Sequence, residues 1–391
     1  MRAFKPTCFV LEGLNSLSTT YYFYYIYFFA EAKFGFDKLQ NLLLAAGLGL
    51  SYAAASAIGG KVAQAWGYLP VLGLGSLMMG ASQAFGAGAD SLAVHLGVMA
   101  VAVVGMGMTW PALQALVSEG EERQRLQTMV GIYNLVWSLV GAIAYLTGGA
   151  LLEAFGLRIL FVLPAALNAV QVAIILLLRN RHPASFEAVT TLEEPNASAP
   201  VAHVPSGIHP KTFLRMAWFA NPFAYLTINT VVAFGPAIAK SLSLSPRYAG
   251  YFCSVWMFVR TASFLLLWFW PGWHYRFRWM VVAYLGMVAT FVLILLSPSV
   301  AALVLAQVGF GFSIGLIYYS SLFYSMDVGE TKGEHGGIHE AVIGLGSSAG
   351  PALGATILYL APQIEHATAK AVGTVLLAGF IGLLWLRRRE R

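Results

Sequence analysis

Three ionisable side chains stand inside otherwise apolar stretches: Glu12 in the run 7–30, Arg260 in 248–270, and Glu340 at the head of 338–360, beside His339. Arg260 lies 12 residues from one end of its run and 10 from the other. That is about 15 Å from either end at 1.5 Å per helical residue. A guanidinium does not deprotonate, so it must be hydrated, paired with a carboxylate, or offered to an anion. The last two roles are both open here. A carboxylate that alternates between dry and charged surroundings takes up and releases a proton. Glu12 is the first expected proton carrier, and Glu340 with His339 is the second.

Neutral polar residues extend this set. Glu12, Asn15, Thr19 and Tyr22 follow a 3-4-3 spacing that puts them on one helical face, and Asn221, Tyr225 and Asn229 recur every four residues on another. Gln114 follows the Trp110-Pro111 step, where proline interrupts helical hydrogen bonding. Tyr318 heads a polar cluster with Tyr319, Ser321 and Tyr324. Asn15, Thr19, Tyr22, Gln114, Asn221, Tyr225, Asn229 and Tyr318 are therefore expected to bind a small solute by hydrogen bonding, with Arg260 as anion anchor. Tyr22 is expected on a cavity wall. Tyr25 and Tyr27, in the same aromatic run, are expected in an interfacial belt.

Metal and enzyme chemistry find little support. His335 and His339 would share a helical face, but Gly336 and Gly337 between them oppose a rigid helix. His182, His203 and His209 match no ligand spacing. There is no HExxH, GxSxG or nucleotide-binding glycine loop. No cofactor, metal or catalytic residue is expected. Cys8 and Cys253 read as packing residues, too few for a disulfide framework.

The elements that must position these residues are helices in a bilayer. The 391 residues are 58% hydrophobic and 10% charged, against roughly 25% charged in soluble chains. Twelve apolar segments recur, each of about 18 to 27 residues, enough to cross a hydrocarbon core of about 30 Å. At that depth the backbone must satisfy its own hydrogen bonds, which dictates helices. The net charge of +6 does not point to nucleic acid, because the basic residues sit in the connections. With both termini cytoplasmic, 16 of the 23 Lys and Arg fall on the cytoplasmic side, six outside, and Arg260 within a span. The expected location is the plasma (inner) membrane.

The chain also repeats itself. The stretch 105–149 returns loosely at 309–354: Gly-x-Gly opens an apolar segment, a charged loop interrupts, and a second segment begins Gly131-Ile132-Tyr133-Asn134 or Gly337-Ile338-His339-Glu340. A period near two hundred residues implies a duplicated half with a site between the copies. Residues 1–178 and 213–391 are the expected six-helix bundles. The polar, Pro- and Ser-containing stretch 179–212 is the linker between them.

The loop after the second segment carries a family resemblance. Gly60 and Gly67 match the glycines of the major facilitator superfamily's Gly-x3-Asp-Arg-x-Gly-Arg-Arg loop, with Gln64, Ala65, Tyr68 and Leu69 at its charged positions. The small-residue fifth segment, ending Gly148-Gly149, is similar to that family's glycine-rich fifth span, and the family's Gly-Pro step stands in the second copy as Gly350-Pro351. The resemblance implies an all-α membrane protein with twelve transmembrane helices in two pseudo-symmetric six-helix bundles. It implies a central cavity lined by spans 1, 4, 7 and 10 and open to each side in turn. The expected function is secondary active transport of a small organic solute, anionic if Arg260 binds it, coupled to H+, by a monomer whose other partner is the lipid bilayer. Export of amphiphilic drugs or lipids, and sensing without transport, are the alternatives.

Overall fold

The computed structural model describes residues 5–118, 121, 123–181, 209–328 and 332–389, and all regular structure among them is helical. The first half holds α1 (Lys5–Phe34), α2 (Lys38–Trp66), α3 (Tyr68–Gly86), α4 (Leu92–Ser118), α5 (Arg123–Phe155) and α6 (Ile159–Arg181). The second holds α7 (Pro210–Ala233), α8 (Gly235–Ser241), α9 (Pro246–Cys253), α10 (Val255–Phe269), α11 (Phe277–Leu295), α12 (Val300–Val328), α13 (Lys332–Leu360) and α14 (Ala367–Arg389).

Each of the twelve expected segments coincides with one helix or with a consecutive pair. Length and apolarity qualify nine spans among the described residues, counting 246–269 as one, and ten with the α7–α8 pair, which bends by 50°. The two helices outside that number are α1 and α3, and α1 carries the polar face noted above. The chain is an integral membrane protein by this measure. His182 and His203 lie outside the described residues, as does most of the linker, and so does the side chain of His335. His209 is described, and its ring accepts the Lys211 backbone N–H at 3.2 Å to cap α7.

Duplication is visible in the packing of the Gly-x-Gly pairs. A Cβ on Gly107 of α4 would come within 2.8 Å of the α2 backbone at Ala55 and Ser56, while one on Gly311 of α12 would come within 2.5 Å of the Trp256 carbonyl of α10. One turn-step earlier, Gly105 abuts α3 at Gly75, and Gly309 abuts α11 at Thr290. The same two glycines thus seat the fourth helix of each half against its second and third. Between α2 and α3 the chain turns at Gly67, whose φ of 92° favours glycine. The Tyr68 hydroxyl donates to Gln64 Oε1 across this turn at 2.9 Å.

The halves meet along two seams, α2 against α13 and α5 against α9 and α10. At the end that carries the linker, Gly337 meets Gly60, and Gly131 meets the indole of Trp268. At the opposite end, a Cβ on Gly149 would fall 1.9 Å from the Pro246 carbonyl, and Gly354 meets Leu42. The halves therefore touch toward both ends.

Candidate functional site

Midway along the seams lies a cavity of about 150 Å³. The resemblance implies walls from α1, α4, α7 and α12. Those helices do contribute, with Thr19, Tyr24 and Tyr27 from α1, Met106 and Trp110 from α4, Tyr225 and Asn229 from α7, and Tyr318 from α12. The seam helices add the remainder: Tyr52 of α2, Trp137 of α5, Met257 and Arg260 of α10, and Glu340 and Ser347 of α13.

Arg260 is placed by a break in its span. The helix lapses at Ser254, and Gln307 of α12 bridges the lapse, donating to the Phe252 carbonyl at 2.6 Å and accepting the Trp256 N–H at 3.3 Å. The α10 helix that restarts there turns Trp256 and Arg260 toward α5. Gly315 of α12 lets this helix approach closely, since a Cβ there would fall 1.9 Å from Ser263 Oγ, one turn beyond Arg260. The guanidinium carbon lies 4.4 Å from the ring centroid of Trp137 and 4.8 Å from that of Trp256. Desolvated cation–π contacts of this kind contribute about 2 kcal/mol or more each, enough to offset much of the roughly 2.5–3.5 kcal/mol cost of a charge at this depth. Trp137 is itself held by its indole N–H, which donates to Asn134 Oδ1 at 3.0 Å.

No carboxylate forms an ion pair with Arg260 among the described residues, so the structural pairing with Glu12 or Glu340 is not what the fold contains. Arg260 is 2% exposed and its Nε has no hydrogen-bond partner. The hydroxyls of Tyr24 and Tyr225 face the guanidinium. A buried guanidinium beside two indoles, with its Nε–H unpartnered and no carboxylate paired to it among the described residues, can take an anion.

Glu340 ties the halves together. Its Oε2 accepts the Tyr52 hydroxyl at 2.6 Å and its Oε1 accepts Gln114 Nε2 at 2.5 Å, so two first-half donors hold one second-half carboxylate. Glu12 is fully buried and so does not reach the membrane surface; Ser16 donates to one oxygen at 3.0 Å and the other has no partner. His339 is buried against Tyr318, and its Nδ1 pairs with the Ser321 hydroxyl at 3.1 Å. Among the described residues no group of three or more His, Cys, Asp or Glu could hold a metal ion.

Of the residues expected to bind solute, Thr19, Tyr225, Asn229, Arg260 and Tyr318 line the cavity. Asn15, Tyr22, Gln114 and Asn221 do not. Tyr22 is the clear correction: its ring packs edge-on against Phe161 of α6, facing away from the cavity. Gln114 lies one step behind the wall through Glu340. Asn15 and Asn221, equivalent positions on α1 and α7, are fully buried with unpartnered amides. Tyr25 and Tyr27 are also corrected, because α1 is enclosed by other helices and presents no belt to lipid. Tyr25 donates to the Tyr145 carbonyl at 2.5 Å, and Tyr27 lines the cavity. Sequence reasoning missed Tyr24, Tyr52, Trp110 and Trp137 as wall residues. For Tyr24 a signal existed, since an aromatic run on an enclosed helix must face inward somewhere.

Comparison with known proteins places this geometry in a family. The model of the Major Facilitator Superfamily matches residues 8–351. No curated protein sequence matches the chain significantly. Among solved structures, the human organic anion transporter MFSD10 (TETRAN) is similar with a TM-score of 0.70 and 17% identity, over 98% of this chain and 99% of that one. The nucleoside transporter NupG is similar with a TM-score of 0.71 and 15% identity, over 98% of each chain. At such identities the likeness is one of fold. The family match spans most of the sequence, and on that ground the chain belongs to the major facilitator superfamily.

Proposed function

We propose that this protein is a secondary active transporter of a small organic anion, working by alternating access and coupled to protons through Glu340. One observation carries the reading: Arg260 is buried at a central cavity beside two indoles, and no carboxylate among the described residues is paired to it. An organic anion is also what the MFSD10 structure's description names. The two six-helix halves, 1–178 and 213–391 about the linker 179–212, rock against each other on their seams. Both termini lie in the cytoplasm, as the excess of Lys and Arg at that end requires.

Glu340 takes precedence over Glu12 as proton carrier because it lines the cavity and holds the seam. Opening the linker end separates α13 from α2 and α4, which breaks the bonds from Tyr52 and Gln114. Those bonds are charge-assisted only while Glu340 is ionised. Protonation weakens them and favours opening, which links the proton to the conformational change.

The test is uptake of small organic anions into proteoliposomes under an imposed proton gradient. Glu340→Gln should retain exchange of the anion across the membrane while losing gradient-driven accumulation. Unchanged accumulation in Glu340→Gln would return the role to Glu12 or to another ion. Export of amphiphiles is a second reading, favoured by Leu48, which borders both the cavity and an apolar groove of the α2–α4 face near Leu43 and Met99. Inhibition of anion uptake by amphiphiles that is relieved by Leu48→Trp would favour it.

A further inference from the structure

The substrate class can be narrowed, on the reading that the cavity carries an organic anion. We infer that it takes a planar aromatic monocarboxylate with a single ring, its carboxylate on the edge of Arg260 and its ring among Trp110, Trp137 and Tyr318. Size comes first. A cavity of about 150 Å³ is below the roughly 300–1,000 Å³ of drug-sized sites. An apolar cavity of about that volume holds one benzene ring in another protein. A nucleoside, with a base and a ribose, is too large for a cavity of that volume.

Charge comes second. Among the described residues, Arg260 is the one cationic side chain lining the cavity and Glu340 the one acidic side chain, with both its oxygens already engaged by Tyr52 and Gln114. One anionic group is therefore matched, a second is opposed, and an ammonium finds no free carboxylate oxygen of comparable access. The guanidinium carbon lies beside two indoles, those of Trp137 and Trp256, and its planar N–H edge suits the two coplanar oxygens of a carboxylate. The Tyr24 and Tyr225 hydroxyls at that edge supply further donors.

Shape comes third. Trp137 stands edge-on to Trp110 at 6.2 Å and edge-on to Tyr318 at 5.1 Å, so the wall presents ring edges and ring faces together. A flat ring gains edge-to-face contacts there that a saturated ring cannot make.

The experiment is isothermal titration of the purified full-length protein with benzoate, cyclohexanecarboxylate, benzamide, phenylalanine and uridine, with melting curves alongside. Benzoate should bind, and cyclohexanecarboxylate should bind about three- to tenfold more weakly for want of the aromatic contacts. Benzamide, without the charge, should lose about tenfold or more, and so should benzoate on Arg260→Lys, whose melting temperature stays near that of the wild type. Trp137→Leu should erase most of the difference between benzoate and cyclohexanecarboxylate. If cyclohexanecarboxylate or a longer aliphatic acid binds as well as benzoate, with the same dependence on Arg260, the aromatic inference falls and the anion reading stands. If only benzamide, phenylalanine or uridine binds, both fall. Silence toward all five also overturns the inference, since the cavity as described accepts benzoate.

Discussion

Arg260 and Glu340 share one small cavity without touching, and the division of labour between them rests on what each already holds. Arg260 has two indoles beside it and an unpartnered Nε, whereas Glu340 has both oxygens bonded across the seam. Removing one Glu340 donor tests this: Tyr52→Phe should leave the fold intact and loosen the seam by about 1.5–3 kcal/mol, the range for a hydrogen bond to a charged group. Accessibility of the linker end to a thiol reagent, read on an engineered cysteine near Gly60, should rise accordingly. A second residue-scale prediction lies outside the membrane. His274 follows the turn after α10, stacked on Phe323 with centroids 4.3 Å apart, and burial pushes its pKa down to about 4 from an ordinary 6.5. Between those values the unfolded chain binds the proton and the folded chain does not, so stability falls as pH drops from about 6.5 to about 4. Melting curves at pH 7, 6, 5 and 4 should show the decline, and His274→Gln should flatten it.

Helix contacts explain how the two seams can be tight and still move. Gly107 and Gly311 pack fourth helices inside each half, while Gly149 packs α5 of one half against Pro246 of the other. Enlarging them should have different consequences. Gly107→Val overpacks a half and should cost about 1–3 kcal/mol of stability. Gly149→Val should cost less, because the halves can separate at that end and relieve the clash. The expected sign is a rise in labelling of an engineered cysteine in the cavity from the end opposite the linker, with little change in melting temperature. Much of this element plan was legible in sequence. Periodic apolar length gives the helices, and the Gly-x-Gly repeat at 105 and 309 gives the pseudo-symmetry, because a glycine that must admit a neighbour's backbone is written in the chain itself. Which face of α1 looks at the cavity was not legible. The 3-4-3 row Glu12, Asn15, Thr19 and Tyr22 marks one buried face, but α1 is enclosed on several sides, and the row drifts around the helix until Tyr22 meets Phe161 of α6. Trp137 was equally hidden, since its role depends on Arg260 arriving from the other half.

At the scale of the whole molecule, the form described is one in which the halves touch at both ends. The Glu153–Arg247 pair sits at the end opposite the linker, where the carboxylate accepts the Arg247 backbone N–H at 2.9 Å. Tyr52, Gln114 and Glu340 sit toward the linker end. A transporter needs to release one of these closures at a time, and the cavity between them is where the cargo must reside when both are shut. The account therefore stands or falls on whether solute crosses by way of Arg260. The most direct measurement is counterflow: proteoliposomes loaded with an unlabelled organic anion, diluted into a trace of the labelled anion, with empty vesicles as baseline. Wild-type protein should show saturable counterflow above that baseline, and Arg260→Lys, purified with an unchanged melting temperature, should fall by about tenfold or more. Equal counterflow in wild type and Arg260→Lys, or movement of neutral solutes alone, would contradict it.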